Sequence, residues 1–136
     1  TGICDGLGLG ANARAALITR ALAEMTRFGM ALGGQAKTFS GLTGVGDLLL
    51  TATDDQSRNR RLGIGLGGGG SITKLVKEIG QEIEGINTAR VLYEKSQELG
   101  IQMPISEQVY RVIFDDLDPA SAVTTLLGRA PREETD

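Results

Sequence analysis

Within the Ala- and Leu-rich stretch Ala11 to Leu32, apolar residues fall at 17, 18, 21, 22, 25, 28 and 32, the spacing of one helix face. This predicts one long helix that starts near Gly10 and stops at Gly33-Gly34. The opening, Gly2 to Gly10, is too rich in glycine to predict a helix. From Gln35 to Thr53 short apolar pieces are broken by Gly41, Gly44 and Gly46, and Asp47 to Thr51 can form a few helical turns. Asp54-Asp55-Gln56-Ser57 then offers several N-caps for a segment that starts at Arg58 and is ended by the glycine cluster Gly63 to Gly70.

Ser71 is read as the cap of a short helix closed by Gly80, and Gly85 to Leu99 as another, ended by Gly100. Pro104 to Phe114 follows, with Ile105, Val109, Val112 and Ile113 on one side. Asp118-Pro119 reads as an N-cap with proline at the first helical position, and Gly128 as the stop. The charged end, 131–136, is expected to fray. Alternation with a period of two is nearly absent; Glu82-Ile83-Glu84 is too short for a strand. The pattern predicts a single all-α domain over 1–136, without internal repeats.

Composition narrows the chemistry. The 136 residues carry a formal net charge of -3, so the long-range field does not draw in a polyanion and bulk nucleic-acid binding is not expected. There is no histidine, which excludes Ser/His/Asp and Cys/His nucleophile systems and imidazole acid-base chemistry; protons must move through Lys, Asp, Glu, Tyr or water. No metal site is expected. The lone Cys4 cannot form an internal disulfide, so a reducing cytoplasm is the expected compartment. No apolar run approaches the roughly 18 to 20 residues that span a bilayer.

Glycine, at 20 of 136, is about twice its usual share. Two runs spell a dinucleotide fingerprint, Gly6-Leu-Gly8-Leu-Gly10-Ala11 and Gly63-Ile-Gly65-Leu-Gly67-Gly68. That motif needs a buried strand ahead of it and a βαβ unit behind it, and neither run has them, so both are read as helix-boundary glycines. The basic run Arg58-Asn59-Arg60-Arg61 lacks aromatic neighbours and sits in an acidic chain. It is a solvated helix face or, with Ser57 placed where a helix begins, a site where free N–H groups, a guanidinium, a carboxamide and a hydroxyl converge on a small anion. Asp47 and Thr51, four apart, project from one helix face beside Leu48-Leu49-Leu50, which are expected to point largely inward. Asp47 is then a helix N-terminal acid or a half-buried carboxylate that orients a lysine or arginine at a cleft. Glu82 and Glu84 are solvated or serve as acceptors for a ligand's hydroxyls.

Several stretches together match something specific: Gly10-Ala-Asn-Ala-Arg-Ala-Ala-Leu-Ile-Thr-Arg20, Gly44-Val-Gly-Asp-Leu-Leu-Leu-Thr51, Ser57-Arg-Asn-Arg60, Glu84-Gly85, Met103-Pro104-Ile105 and Leu126-Leu127-Gly128-Arg129. In order and with the right gaps, they resemble the C-terminal domain of bacterial NAD(P)-dependent glycerol-3-phosphate dehydrogenases. The resemblance implies a helical substrate-binding domain of the 6-phosphogluconate dehydrogenase C-terminal type, which works beside an N-terminal Rossmann domain that holds NAD or NADP. It also implies a homodimer, and interconversion of dihydroxyacetone phosphate and sn-glycerol 3-phosphate for phospholipid synthesis.

By the same resemblance, Asp47 is a catalytic and substrate-binding acid, and Ser57, Arg58 and Asn59 take the phosphate end of the substrate. Arg58, Glu82 and Glu84 lie at the cofactor edge. The family's proton-donating lysine lies in a Gly-x-x-Lys-Asn motif just upstream of the segment that starts here at Thr1. Lys37 follows Gly34 by three residues, but Thr38 comes next and the site lies beyond the long helix, so it is not the equivalent. The chain is therefore expected to be a substrate domain without its Rossmann half, inactive alone. The alternatives are a helical domain of another hydroxyacid or 6-phosphogluconate-type dehydrogenase, and a non-catalytic helical interaction module.

Overall fold

The structure, a computed structural model, describes residues 1–129. The tail expected to fray, 131–136, lies outside the described residues. Those described form nine α-helices and no strand: α1 (Gly2–Gly6), α2 (Ala11–Ala31), α3 (Ala36–Ser40), α4 (Asp47–Thr53), α5 (Arg58–Gly67), α6 (Ile72–Ile79), α7 (Glu84–Leu99), α8 (Pro104–Phe114) and α9 (Pro119–Leu127). A π-helical turn, Leu42–Gly46, runs directly into α4.

The expected boundaries of α2 and α6 to α9 hold to within a residue or two. Gly80 and Gly100 close α6 and α7 in the left-handed region, at φ 68 and 66°. Asp118 caps α9, its Oδ2 accepting from the Ser121 N–H at 3.1 Å. Ser71 occupies the N-cap position of α6 but makes no side-chain capping bond. The start of α8 has no cap of its own. It is satisfied from α2, where the buried Glu24 carboxylate accepts from the Ile105 N–H at 2.7 Å and from the Ser106 N–H and Oγ at 2.9 and 2.8 Å. A carboxylate with three donors at the positive end of a helix is a stable way to bury an acid.

Two expectations are corrected. The opening is helical from Gly2 to Gly6, and α5 continues through Gly63, Gly65 and Gly67, so only Gly68 to Gly70 mark its end. Both corrections have one cause, the packing of α1 against α5. A Cβ on Gly6 would collide with the Ile64 carbonyl, and one on Gly67 with that of Ile3. These glycines allow two backbones to touch, and the contact compensates for their poor helix propensity. Ile3 of α1 then reaches both apolar clusters. One is built on Leu62, Leu66, Ile83, Val112 and Ala122, the other on Cys4, Leu17, Val123 and Leu126.

Candidate functional site

The start of α5 carries a side-chain N-cap. Ser57 has extended backbone geometry, and its Oγ accepts from the Arg60 N–H at 3.2 Å while its carbonyl accepts from the Arg61 N–H at 3.0 Å. The N–H groups of Arg58 and Asn59, which point out of the helix start, have no hydrogen-bond partner among the described residues. Their side chains reach the connector between α6 and α7 and the first turn of α7. Arg58 Nη1 donates to Gln81 Oε1 at 3.2 Å, and Asn59 Oδ1 accepts from the Gly85 N–H at 3.0 Å. The space a Cβ on Gly85 would need is filled by the Asn59 carboxamide, which lies 2.5 Å from the ideal Cβ position. With its oxygen so used, Asn59 keeps its NH₂ group as a donor.

Of the sequence-predicted residues, Ser57, Arg58 and Asn59 are thus brought together, with Glu82 of the connector and Glu84, the first residue of α7, next in the chain to the Gln81 and Gly85 that Arg58 and Asn59 bond. Ile83 is buried and anchors that connector in the core, while the two flanking glutamates are exposed and their side chains form no hydrogen bond or ion pair among the described residues. The edge offers donors on α5 and free carboxylate acceptors on the connector and at the first residue of α7.

Asp47 stands apart. It is the first residue of α4 and makes no side-chain hydrogen bond or ion pair, either with these residues or with any other described residue. The expectation of a half-buried carboxylate beside inward leucines is corrected: Asp47 is exposed, and Leu49 and Leu50 are 45% and 67% exposed. The π turn explains why Asp47 does not cap a free helix end. Its own N–H already reaches back to the Leu42 and Gly44 carbonyls, so no helix start opens there.

Sequence reasoning did not single out Gln81, Asp5 or the inward role of Arg60. The Arg60 side chain is 9% exposed, and its Nη1 donates to Asp5 Oδ2 at 2.7 Å. Burial pushes the Asp5 carboxyl up, but hydrogen bonds from Arg60 and Arg14 and their positive charges outweigh it and hold it below the usual aspartate value. The hydrogen bond to Asp5 pushes the Arg60 guanidinium up in turn. The signal was present as an acid inside a glycine-rich opening and a cation in a basic run, but neither position says which charge turns inward.

A cavity of about 360 Å³ lined by Ser96, Gly100, Met103, Pro104 and Glu107 lies at the other end of α7, roughly 20 Å along the helix from Glu84. At the start of α5, Ser57 and Arg58 are half-buried and Asn59 is exposed. No helix among the described residues is long and apolar enough to cross a membrane, and no group of His, Cys, Asp and Glu among them could hold a metal ion.

Comparison with known proteins agrees with this architecture. Residues 1–124 match the family model described as the C-terminus of NAD-dependent glycerol-3-phosphate dehydrogenase. The NAD(P)+ glycerol-3-phosphate dehydrogenase of Methylococcus capsulatus is 58% identical over 135 residues, which are 99% of this chain and 40% of that protein. That of Acidithiobacillus ferrooxidans is 55% identical over 133 residues, 98% of this chain and 39% of that one. The crystal structure of glycerol-3-phosphate dehydrogenase from Coxiella burnetii superposes with a TM-score of 0.92 at 51% identity, covering 94% of this chain and 39% of that one. The chain spans about 40% of the length of the curated relatives it matches. With nine-tenths of its length matched and its fold shared, the chain belongs to the NAD-dependent glycerol-3-phosphate dehydrogenase C-terminal family.

Proposed function

We propose that this chain is the substrate-binding part of an NAD(P)-dependent glycerol-3-phosphate dehydrogenase, and that it grips dihydroxyacetone phosphate or sn-glycerol 3-phosphate by the phosphate. One observation carries the reading: the start of α5 presents two unpaired backbone N–H groups, the Arg58 guanidinium and the Asn59 NH₂ group on one edge, with the helix dipole behind them. That is a donor set for a tetrahedral dianion. With the phosphate held, the carbonyl at the central carbon of the three-carbon ketone is confined to a short arc, which lowers the entropy cost of reaction.

The unpartnered Glu82 and Glu84 carboxylates fit a nicotinamide cofactor through its hydroxyls, and Arg58 fits it through its charge. Bound NAD(P)H supplies the hydride that adds to the carbonyl carbon. The resemblance implies a lysine as the donor of the proton that the carbonyl oxygen gains. Asp47, exposed and unpaired, is available to hold that ammonium in its charged, donating form. Leu42, Leu49 and Leu50, exposed on the same segment as Asp47, support a cofactor-binding domain docked there. A homodimer and a cytoplasmic location belong to the same reading, the latter supported by a lone buried Cys4 without a disulfide.

The test is turnover of dihydroxyacetone phosphate with NADH and NADPH by a full-length enzyme that carries this chain. Arg58→Ala in that enzyme lowers kcat/KM by about ten- to a hundredfold, the worth of one charge-assisted hydrogen bond; an unchanged efficiency refutes the role. The 136-residue chain alone turns nothing over.

A further inference from the structure

Three arginines fall within four residues at the start of α5, and one does something phosphate binding does not use. Arg60 points into the protein, where Nη1 donates to Asp5 Oδ2 at 2.7 Å and to the Ala52 carbonyl at 3.0 Å, and Nε donates to Asp55 Oδ1 at 3.2 Å. These acceptors sit on three separate segments. Asp5 is on α1, Ala52 is near the end of the helix that begins with Asp47, and Asp55 is in the connector that leads to Ser57. The Arg60 N–H also donates to Ser57 Oγ, so the same residue closes the cap. Asp5 is held from a second side by Arg14 of α2 at 3.3 Å.

The connector has little else to hold it. Asp54, Asp55 and Gln56 are exposed, and neither apolar cluster includes a residue between Thr53 and Ser57. Its other bonds are internal: the Gln56 N–H to Asp54 Oδ1 and the Ser57 N–H to the Asp54 carbonyl, both at 3.0 Å. Beyond its chain junctions with α4 and α5, the one hydrogen bond that ties Asp54, Asp55 or Gln56 to another element among the described residues is the one Arg60 makes to Asp55. A lysine in place of Arg60 would offer a point charge without the fixed fork that reaches three acceptors.

We propose that Arg60 is a positioning residue for the phosphate cradle: by tying Asp5, Ala52 and Asp55 together it sets where Ser57, Arg58 and Asn59 present their donors. This inference rests on the phosphate-binding reading above. It extends that reading to a residue that does not touch the substrate.

The experiment uses the full-length enzyme with Arg60→Gln and, as a milder change, Arg60→Lys. It measures kcat, the KM for dihydroxyacetone phosphate, and inhibition by inorganic phosphate competing with that substrate. In Arg60→Gln the KM and the phosphate inhibition constant rise together, about tenfold, and in Arg60→Lys they rise together by less. Both quantities within twofold of wild type in the soluble variants, with loss confined to kcat or to the melting temperature, would mean that Arg60 only stabilises the fold, and a rise in KM alone would also overturn the proposal. If Arg60→Gln does not fold, Arg60→Lys is judged by the same criterion. The two readings fail separately: a wild-type enzyme that neither turns over dihydroxyacetone phosphate nor responds to phosphate removes the phosphate reading, whereas a responsive wild type with unresponsive variants removes only the role of Arg60.

Discussion

Helix α5 and the segment Leu42 to Thr53 are both rich in glycine and leucine, yet they meet the rest of the chain in opposite ways. On α5, Leu62 and Leu66 are buried, and the glycines let α1 lie directly on the helix backbone. On the other segment Gly44 is buried but Leu42, Leu49 and Leu50 face outward, Leu42 being 86% exposed. Composition is similar; what differs is whether a partner helix lies within the chain. The first region is finished by its own neighbours. The second presents apolar surface beside an unpaired acid, Asp47, which is the pattern of half an interface.

The contrast can be broken most severely at the α1–α5 contact. Gly67→Val should destabilise the 136-residue chain by about 3 kcal/mol, since backbone atoms cannot make room as a flexible side chain can. Urea unfolding followed by circular dichroism reads this directly. A cost near zero would show that the two helices are not in contact.

Asp5→Asn should cost about 2 kcal/mol, because it leaves Arg60 and Arg14 without their shared carboxylate. The effect carries a pH signature. The folded-state pKa of Asp5 lies below the unfolded value of about 3.9, so its contribution is complete above that pH and fades as pH falls through the folded pKa. Wild type and Asp5→Asn should therefore differ in melting temperature at neutral pH and converge in acid. A constant gap across that range would remove Asp5 as the titrating group.

On the open segment the effects on stability shrink and those on function appear. Asp47→Asn should leave unfolding of the 136-residue chain unchanged, since the carboxylate has no partner there, and lower kcat of the full-length enzyme about tenfold. A rise in KM alone would assign Asp47 to binding instead. The smallest effect is expected for Leu42→Ser with Leu50→Ser, which should shift the stability of the chain by less than about 0.5 kcal/mol. A loss of several times that amount would show that these leucines already pack within the chain.

Much of this was legible from one sequence. The three-to-four spacing in Ala11 to Leu32, the Asp118-Pro119 start and the stops at Gly80 and Gly100 act through local backbone chemistry, so they read directly. So did the helix start after Ser57, because an N-cap and the N–H it accepts from are neighbours in the chain. The glycines of α1 and α5 misled, since their value lies in a contact between residues some sixty positions apart. Leu49 and Leu50 misled for the opposite reason: hydrophobicity says that a side chain should be covered, not that this chain covers it.

The order of residues was therefore enough to establish an all-helical domain, most of its boundaries and the capped helix start at Ser57, because each depends on groups within a few positions of one another. Which arginine faces the interior, which acid stays unpaired and which glycines carry a helix crossing were settled by packing. Those outcomes depend on which distant segments come within hydrogen-bond reach, and the three acceptors of Arg60, on α1, at the end of α4 and in the connector, meet only when the chain is folded.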